Sequence, residues 1–242
     1  MSRIADRFGR AASTYGSATP IQRQVAGQLA EGILASDPPA GARVAEFGCG
    51  VGYLAQALAP RLQPSLWIAT DLAPAMVAAA RATTPLVAVM DAARPALKPG
   101  FDLVCSSLTL QWLDDPRAAV DLWRGLVAPG GRLALSTLME GSFAEWRSAL
   151  AEAGAAPSGP RFPTMDQARA WFGPRARLET LELTERHASA LTFLRALKAS
   201  GADAAEGPVL TAGVMRRAMA GFEAHGRFTT YRVLLVVEQV GP

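Results

Sequence analysis

The chain has 242 residues, half of them hydrophobic, and a formal net charge of +3. That length supplies one sizeable core, and the dispersed charges form no basic stripe of the kind that tracks a nucleic-acid backbone. The two cysteines, Cys49 and Cys105, are too few for a disulfide framework or a metal cluster, and no apolar run is long enough to span a bilayer, so the expectation is a soluble, cytoplasmic protein with no metal.

In chain order, residues 1–36 read as helical, with Val25, Leu29, Ile33 and Leu34 near helical spacing. Asp37-Pro38-Pro39-Ala40-Gly41 breaks that pattern. Strand and helix signals then alternate. Arg43–Glu46 is a short strand that runs into glycines, and Tyr53–Leu62 is a helix. Leu66–Thr70 is a strand ending at Asp71, and Pro74 opens a helix to Ala82, where its missing N–H costs nothing. Leu86–Met90 is a strand ending at Asp91, Phe101–Ser106 another, Arg117–Val127 a helix stopped by Pro129-Gly130-Gly131, and Arg132–Leu138 a fifth strand. Further on, Phe143–Ala153, Met165–Phe172 and Leu191–Ala199 read as helices, and Leu178–Thr184 and Thr229–Val240 as strands. Residues 154–163 are a Gly/Pro-rich connection, and 203–215 is irregular. Apolar strands separated by helices predict a mostly parallel sheet buried on both faces, with its ligands at the carboxyl ends of the strands.

Those strand ends carry the chemistry. Gly48-x-Gly50-x-Gly52 lies between a strand and a helix, where glycines let the backbone turn tightly and approach a ligand. By itself the loop is a weak signal, because dinucleotide-binding loops look similar at a different spacing. Asp71 ends the second strand, nineteen residues after Gly52, where a carboxylate can accept both hydrogen bonds of a ribose diol. Asp91-Ala92 ends the third and suits an adenine amino group and ring. Helix capping is the plain alternative for both acids.

In this order, the Glu46-x-Gly48-x-Gly50-x-Gly52 loop, Asp71, Asp91-Ala92 and the Pro129-Gly130-Gly131 turn resemble the Rossmann-like S-adenosylmethionine-dependent methyltransferase superfamily over roughly 43–138. The resemblance implies an α/β fold: a mostly parallel seven-stranded sheet, helices on both faces, and a helical lid from the two terminal parts. It divides a single domain into an N-terminal lid segment (1–36), a cofactor-binding core (43–138) and substrate-side helices and final strands (139–242). It also implies S-adenosylmethionine as cofactor, with Glu46, Gly48, Cys49, Gly50, Gly52, Asp71, Leu72, Met76, Asp91, Ala92 and Ser107 as its binding residues.

Other segments extend the likeness over almost the whole chain. They are Arg7-Phe8-Gly9-Arg10 with Tyr15, Leu108-Thr109-Leu110-Gln111-Trp112, Ser136-Thr137-Leu138, Arg161-Phe162-Pro163, Leu194-Arg195-x-Leu197-Lys198-x-x-Gly201-Ala202, and Thr230-Tyr231-Arg232. Together they resemble the malonyl-acyl-carrier-protein O-methyltransferase family of biotin synthesis. The likeness implies methyl transfer to the free carboxyl of a malonyl thioester on acyl-carrier protein or coenzyme A. Tyr15, Gln111, Trp112 and Arg195 are the catalytic candidates, with Lys198 a further cation. A carboxyl of pKa about 4 is already ionised at neutral pH, so positioning does the work of a general base. Arg117, Arg124, Arg161 and Arg195 are candidates for steering an acidic carrier protein. Methylation of another small carboxylic acid, or a non-catalytic cofactor-binding assembly factor, are the alternatives. Neither a membrane nor a nucleic acid is an expected partner.

Overall fold

The computed structural model describes residues 3–156, 159–202 and 210–241, apart from the side chain of Ser17. Its centre is a seven-stranded sheet in the order β3-β2-β1-β4-β5-β7-β6. β1 (Arg43–Phe47), β2 (Leu66–Asp71), β3 (Leu86–Val89), β4 (Phe101–Ser107) and β5 (Val127–Leu138) run parallel. β7 (Phe228–Gln239) is antiparallel to both β5 and β6 (Ala176–Arg186). The strand order reverses between β1 and β4, and the crevice at such a reversal is where open α/β sheets bind ligands.

Both faces are covered. On one side, α2 (Pro20–Leu34) and α3 (Tyr53–Leu62) bury Val25, Leu29, Ile33, Leu54 and Leu58 against Val44, Leu103 and Val233. On the other, α5 (Pro116–Arg124) stacks Trp123 on Phe47 with ring centroids 5.2 Å apart. Trp123 Nε1–H donates to the Ala92 carbonyl at 2.8 Å, which ties the loop after β3 to this buried ring. α4 (Pro74–Ala80) links β2 to β3, and α7 (Met165–Arg169) precedes β6.

A third cluster lies beyond the sheet's carboxyl edge. α6 (Ala144–Glu152), α8 (Ala190–Ala199) and α9 (Ala212–Ala224) pack around Trp146, Phe193 and Phe222. α1 (Arg3–Ala18) lies against α4 and α8. Thr14 Oγ1 donates to the Ala199 carbonyl at 3.0 Å, and Gly201 packs on Phe8 so closely that an added Cβ would sit 3.0 Å from its Cα.

Besides helices that end two or three residues early at Ala80, Arg124 and Arg169, sequence and structure differ in four places. Of residues 1–36, only α1 behaves as a cover. α2 is core, because its stripe of buried aliphatics has the sheet beneath it. β5 begins at Val127 and carries Pro129-Gly130-Gly131 within it; the Gly130 N–H donates to the Val240 carbonyl at 3.2 Å, and the register against β4 shifts there. β6 (Ala176–Arg186) runs two residues beyond the expected Leu178–Thr184 at each end. Helix α9 was not expected. Its Met215, Ala218 and Phe222 follow helical spacing behind the Thr211 cap, while 203–209 lies outside the described residues.

Candidate active site

Two cavities open along the carboxyl edge. The smaller, about 100 Å³, is lined by Gly48, Gly50, Asp71, Leu72, Met76, Asp91 and Ala92 from the sheet side. Ile4, Phe8 and Tyr15 of α1 close it, with Trp112 and Leu113 from the turn after β4. Seven of the eleven expected cofactor residues therefore meet in one place.

The glycine loop is built for close approach. Gly48 has φ +63°, and a Cβ there would fall 2.0 Å from Thr109 Oγ1. At Gly50 (φ +54°) an added Cβ would enter the space in front of the Tyr15 ring, 3.9 Å from its edge. Asp71 fastens this loop: its Oδ2 accepts the Gly50 N–H at 2.9 Å, and its Oδ1 accepts the Ala73 N–H at 2.8 Å. Burial raises the Asp71 pKa, while the N–H groups of Ala73, Gly50 and Leu72 oppose that rise. Each oxygen keeps a lone pair that can take a hydroxyl. Asp91 Oδ1 accepts the Ala93 N–H at 2.9 Å, a turn that presents the adjoining Ala92 backbone.

Tyr15 is positioned through Thr19, whose hydroxyl donates to the Tyr15 carbonyl and lies 2.8 Å from the Tyr53 hydroxyl. Burial and the Asp71 carboxylate push the Tyr15 phenol upward, so it stays protonated at neutral pH. Phe8 meets Trp112 edge-on at 5.2 Å. The cavity thus has three aromatic walls, an environment that suits a cation.

Four expected cofactor residues lie elsewhere. Glu46 points into the core, where it accepts the Trp67 Nε1–H at 2.9 Å, and burial pushes its pKa up to about 8. Cys49 turns the other way, its N–H donating to the Thr70 carbonyl and its side chain buried with α2 and α3. Gly52 caps α3 with its would-be Cβ against Thr83. The Ser107 hydroxyl lies 3.1 Å from that of Ser136, between strands. These four shape the loop and its base; they do not line the cavity.

The larger cavity, about 270 Å³, shares Trp112 with the smaller one. Its walls are mainly apolar: Leu108, Leu138, Phe143, Trp146, Phe162, Phe193, Leu194, Leu197 and Met215. Gln111 faces it, yet its amide is engaged: Nε2 donates to the Leu108 carbonyl at 2.7 Å and Oε1 accepts from Thr137 at 3.3 Å. It braces Leu108, a non-glycine residue at φ +52°. Tyr231 donates to Glu185 at 2.9 Å, and His187, whose pKa burial lowers, lies 3.0 Å from the Thr229 hydroxyl.

Arg195 does not enter this cavity. Its neighbours Leu194 and Leu197 turn inward, which leaves Arg195 and Lys198 exposed on the outer face of α8. The arginine inside is Arg147, which sequence reasoning missed. It donates to the Pro160 carbonyl at 2.9 Å and lies 5.1 Å over the Phe162 ring. Among the described residues no carboxylate pairs with it, and burial lowers its pKa. The signal was available: Phe143, Trp146, Arg147 and Leu150 share one helical face, so the arginine interrupts an apolar stripe. Of the steering candidates, Arg124 is committed to Glu238 at 3.0 Å and to Asp121, and Arg117 donates to the Ala170 carbonyl. Both lie on α5, away from the larger cavity's walls, and Arg161 is exposed beside Phe162.

The family model for a methyltransferase domain matches residues 45–135. The chain is 39% identical over 235 residues to the biotin biosynthesis bifunctional protein BioCD of Bordetella avium, covering 95% of this chain but only half of that protein. It is 33% identical over 245 residues to the malonyl-[acyl-carrier protein] O-methyltransferase of Magnetococcus marinus, covering 96% of this chain and 90% of that one. Among solved structures, the YcgJ protein of a Bacillus has the same fold, with a TM-score of 0.63 at 16% identity over 88% of this chain and 98% of that one. Sheet, glycine loop and strand-end acids together define an S-adenosylmethionine-dependent methyltransferase. Within that class, the chain belongs to the malonyl-[acyl-carrier protein] O-methyltransferase family. The smaller cavity fits this cofactor: a buried carboxylate for a diol, an apolar slot at Leu72 and Met76 for a flat ring, and aromatic walls for a sulfonium.

Proposed function

We propose that this chain methylates the free carboxylate of a malonyl thioester borne by an acyl-carrier protein, an early step of biotin synthesis. The observation that carries this reading is Arg147, a cation without a carboxylate partner among the described residues, in an apolar cavity that meets the cofactor cavity at Trp112. A half-buried, unpaired guanidinium favours an anionic guest, and its planar fork matches a carboxylate.

When bound, S-adenosylmethionine supplies an electrophilic methyl group on a sulfonium. The remaining work belongs to the chain. Asp71, Asp91-Ala92 and the Gly48–Gly50 backbone would hold the donor, with Leu72 and Met76 as apolar lining. Tyr15, Phe8 and Trp112 would exclude water and offer aromatic surface to a positive charge. Arg147 fixes the malonyl carboxylate, and Gln111 acts as a positioning residue by bracing the Leu108 turn. No base is required, because the acceptor is ionised at neutral pH. Holding two reactants in line can contribute about 7–11 kcal/mol in favourable cases. The same reading sets the enzyme in the cytoplasm, which suits the free, buried thiols of Cys49 and Cys105.

The test is transfer of a labelled methyl group to malonyl-carrier protein, malonyl-coenzyme A, free malonate and a tricarboxylic acid, side by side. Transfer to the malonyl thioesters is the expected result. Preference for a free acid would replace the reading with small-acid methylation. Cofactor binding without transfer to any of them would replace it with an assembly role.

A further inference from the structure

Positive charge is unevenly placed on this molecule. Helices α1, α8 and α9 hold seven of the 24 basic residues and only two of the 21 acidic ones, so the rest of the chain is slightly acidic. These same helices wall the two cavities.

On α8, Leu191, Arg195 and Lys198 follow i, i+4, i+7 spacing and share one face. All three are exposed, Leu191 to 44%, and α8 contains no acidic residue. Neither cation has an ion-pair partner among the described residues. The opposite face of the helix, through Phe193, Ala196 and Leu197, lines the larger cavity. Beside it, α1 carries the exposed Arg3 and Arg10 with Arg7 between them, flanking the side that turns Ile4, Phe8 and Tyr15 to the smaller cavity. A cationic face with one apolar anchor, on the outer side of an acceptor cavity's wall, is complementary to an acidic helical protein.

We propose that the Leu191–Arg195–Lys198 face of α8, with the arginine stripe of α1 beside it, docks the acidic carrier protein, while the carrier's thioester arm reaches past α8 into the larger cavity. This rests on the carboxyl-methylation reading. Two contacts are separated in this arrangement: the thioester's acid end is recognised inside by Arg147, and the protein that carries it is recognised outside by α8.

The test compares malonyl-carrier protein with malonyl-N-acetylcysteamine, which has neither protein nor phosphate. Double reversal R195E/K198E is expected to raise KM for the carrier substrate at least tenfold at low salt and to flatten its salt dependence. Turnover of the small thioester should stay within twofold of wild type. L191E should raise the carrier KM without changing that salt slope. Reversal of Arg175 and Arg177, at the opposite edge of the sheet, should change neither substrate. An unchanged carrier KM in R195E/K198E, or an equal loss on both substrates, overturns the docking face. A wild-type enzyme inactive on both thioesters overturns the carboxyl-methylation reading itself, and the docking face with it.

Discussion

Replacing Arg147 by Met removes the guanidinium while keeping an unbranched apolar stem in the cavity. Leaving one member of a fully buried charge pair without its partner costs about 3–5 kcal/mol. Arg147 is only partly withdrawn from water, and solvent screening reduces that to about 1.5–2.5 kcal/mol. At about 1.4 kcal/mol per decade, the loss in kcat/KM is about 10- to 60-fold. The partition between constants is equally specific. The acceptor carboxylate carries its full charge in the ground state and loses it as the ester forms. A cation that pairs with it therefore favours binding over the chemical step, and the loss should fall on KM, with kcat changed less than about threefold. Steady-state kinetics on malonyl-N-acetylcysteamine measure this, with S-adenosylhomocysteine affinity and thermal unfolding as controls for the lost Pro160 and Phe162 contacts. A KM within twofold of wild type, or a loss confined to kcat, would refute Arg147 as the carboxylate's partner.

At Asp71, substitution by Asn leaves one oxygen to serve N–H groups that now approach two, and turns an amide N–H toward the loop. Calorimetric titration with S-adenosylhomocysteine should show affinity weakened at least tenfold in a folded protein, and unchanged affinity would mean that Asp71 only fastens the loop. Glu46 makes a pH prediction. Its folded pKa of about 8 lies above the ordinary value, so the stability of its buried neutral form is fully present below about pH 4 and is lost as pH rises to about 8. Glu46→Gln keeps an acceptor for Trp67 and removes that loss, so its advantage in urea unfolding should grow from pH 5 to pH 8.5; parallel curves for the two proteins would contradict this. Gly48→Ala combines a strained φ with a Cβ against Thr109, and cofactor affinity should fall by at least tenfold without relief from Thr109→Ser, because the Thr109 Cβ itself lies 2.7 Å away. Recovery in the double variant would show that the Thr109 methyl group alone was the obstacle.

The parts of the site that could be read from the sequence are those fixed by local order along the chain. Gly48, Gly50, Asp71 and Asp91 follow directly from strand ends, and a parallel sheet brings strand ends to one edge whatever the helices do. Side chains on helices carry no such guarantee. Arg195 and Arg147 each sit among leucines and aromatics, and a rotation of one residue decides which faces the cavity: Leu194 and Leu197 win the inside of α8, so Arg195 is expelled. Arg124 looked free because its partner Glu238 is 114 residues away and meets it only after β7 pairs with β5. Glu46 looked like part of the loop, but its alternation along β1 turns it to Trp67. The α9 helix is faint in the sequence because its apolar stripe, broken by Arg216 and Arg217, begins beside an irregular segment.

The central claim is that the methyl group ends on oxygen, at the free carboxylate. A malonyl thioester also offers its activated carbon, so the position of the label decides between two chemistries. The decisive measurement is to label malonyl-carrier protein with methyl-labelled S-adenosylmethionine and expose the product to mild base. Methylation at the carboxylate gives a mass gain of one methyl group on the carrier and release of the label as methanol. Label recovered in a methylated diacid after complete saponification marks a carbon–methyl bond, and would contradict methylation at oxygen even with full activity.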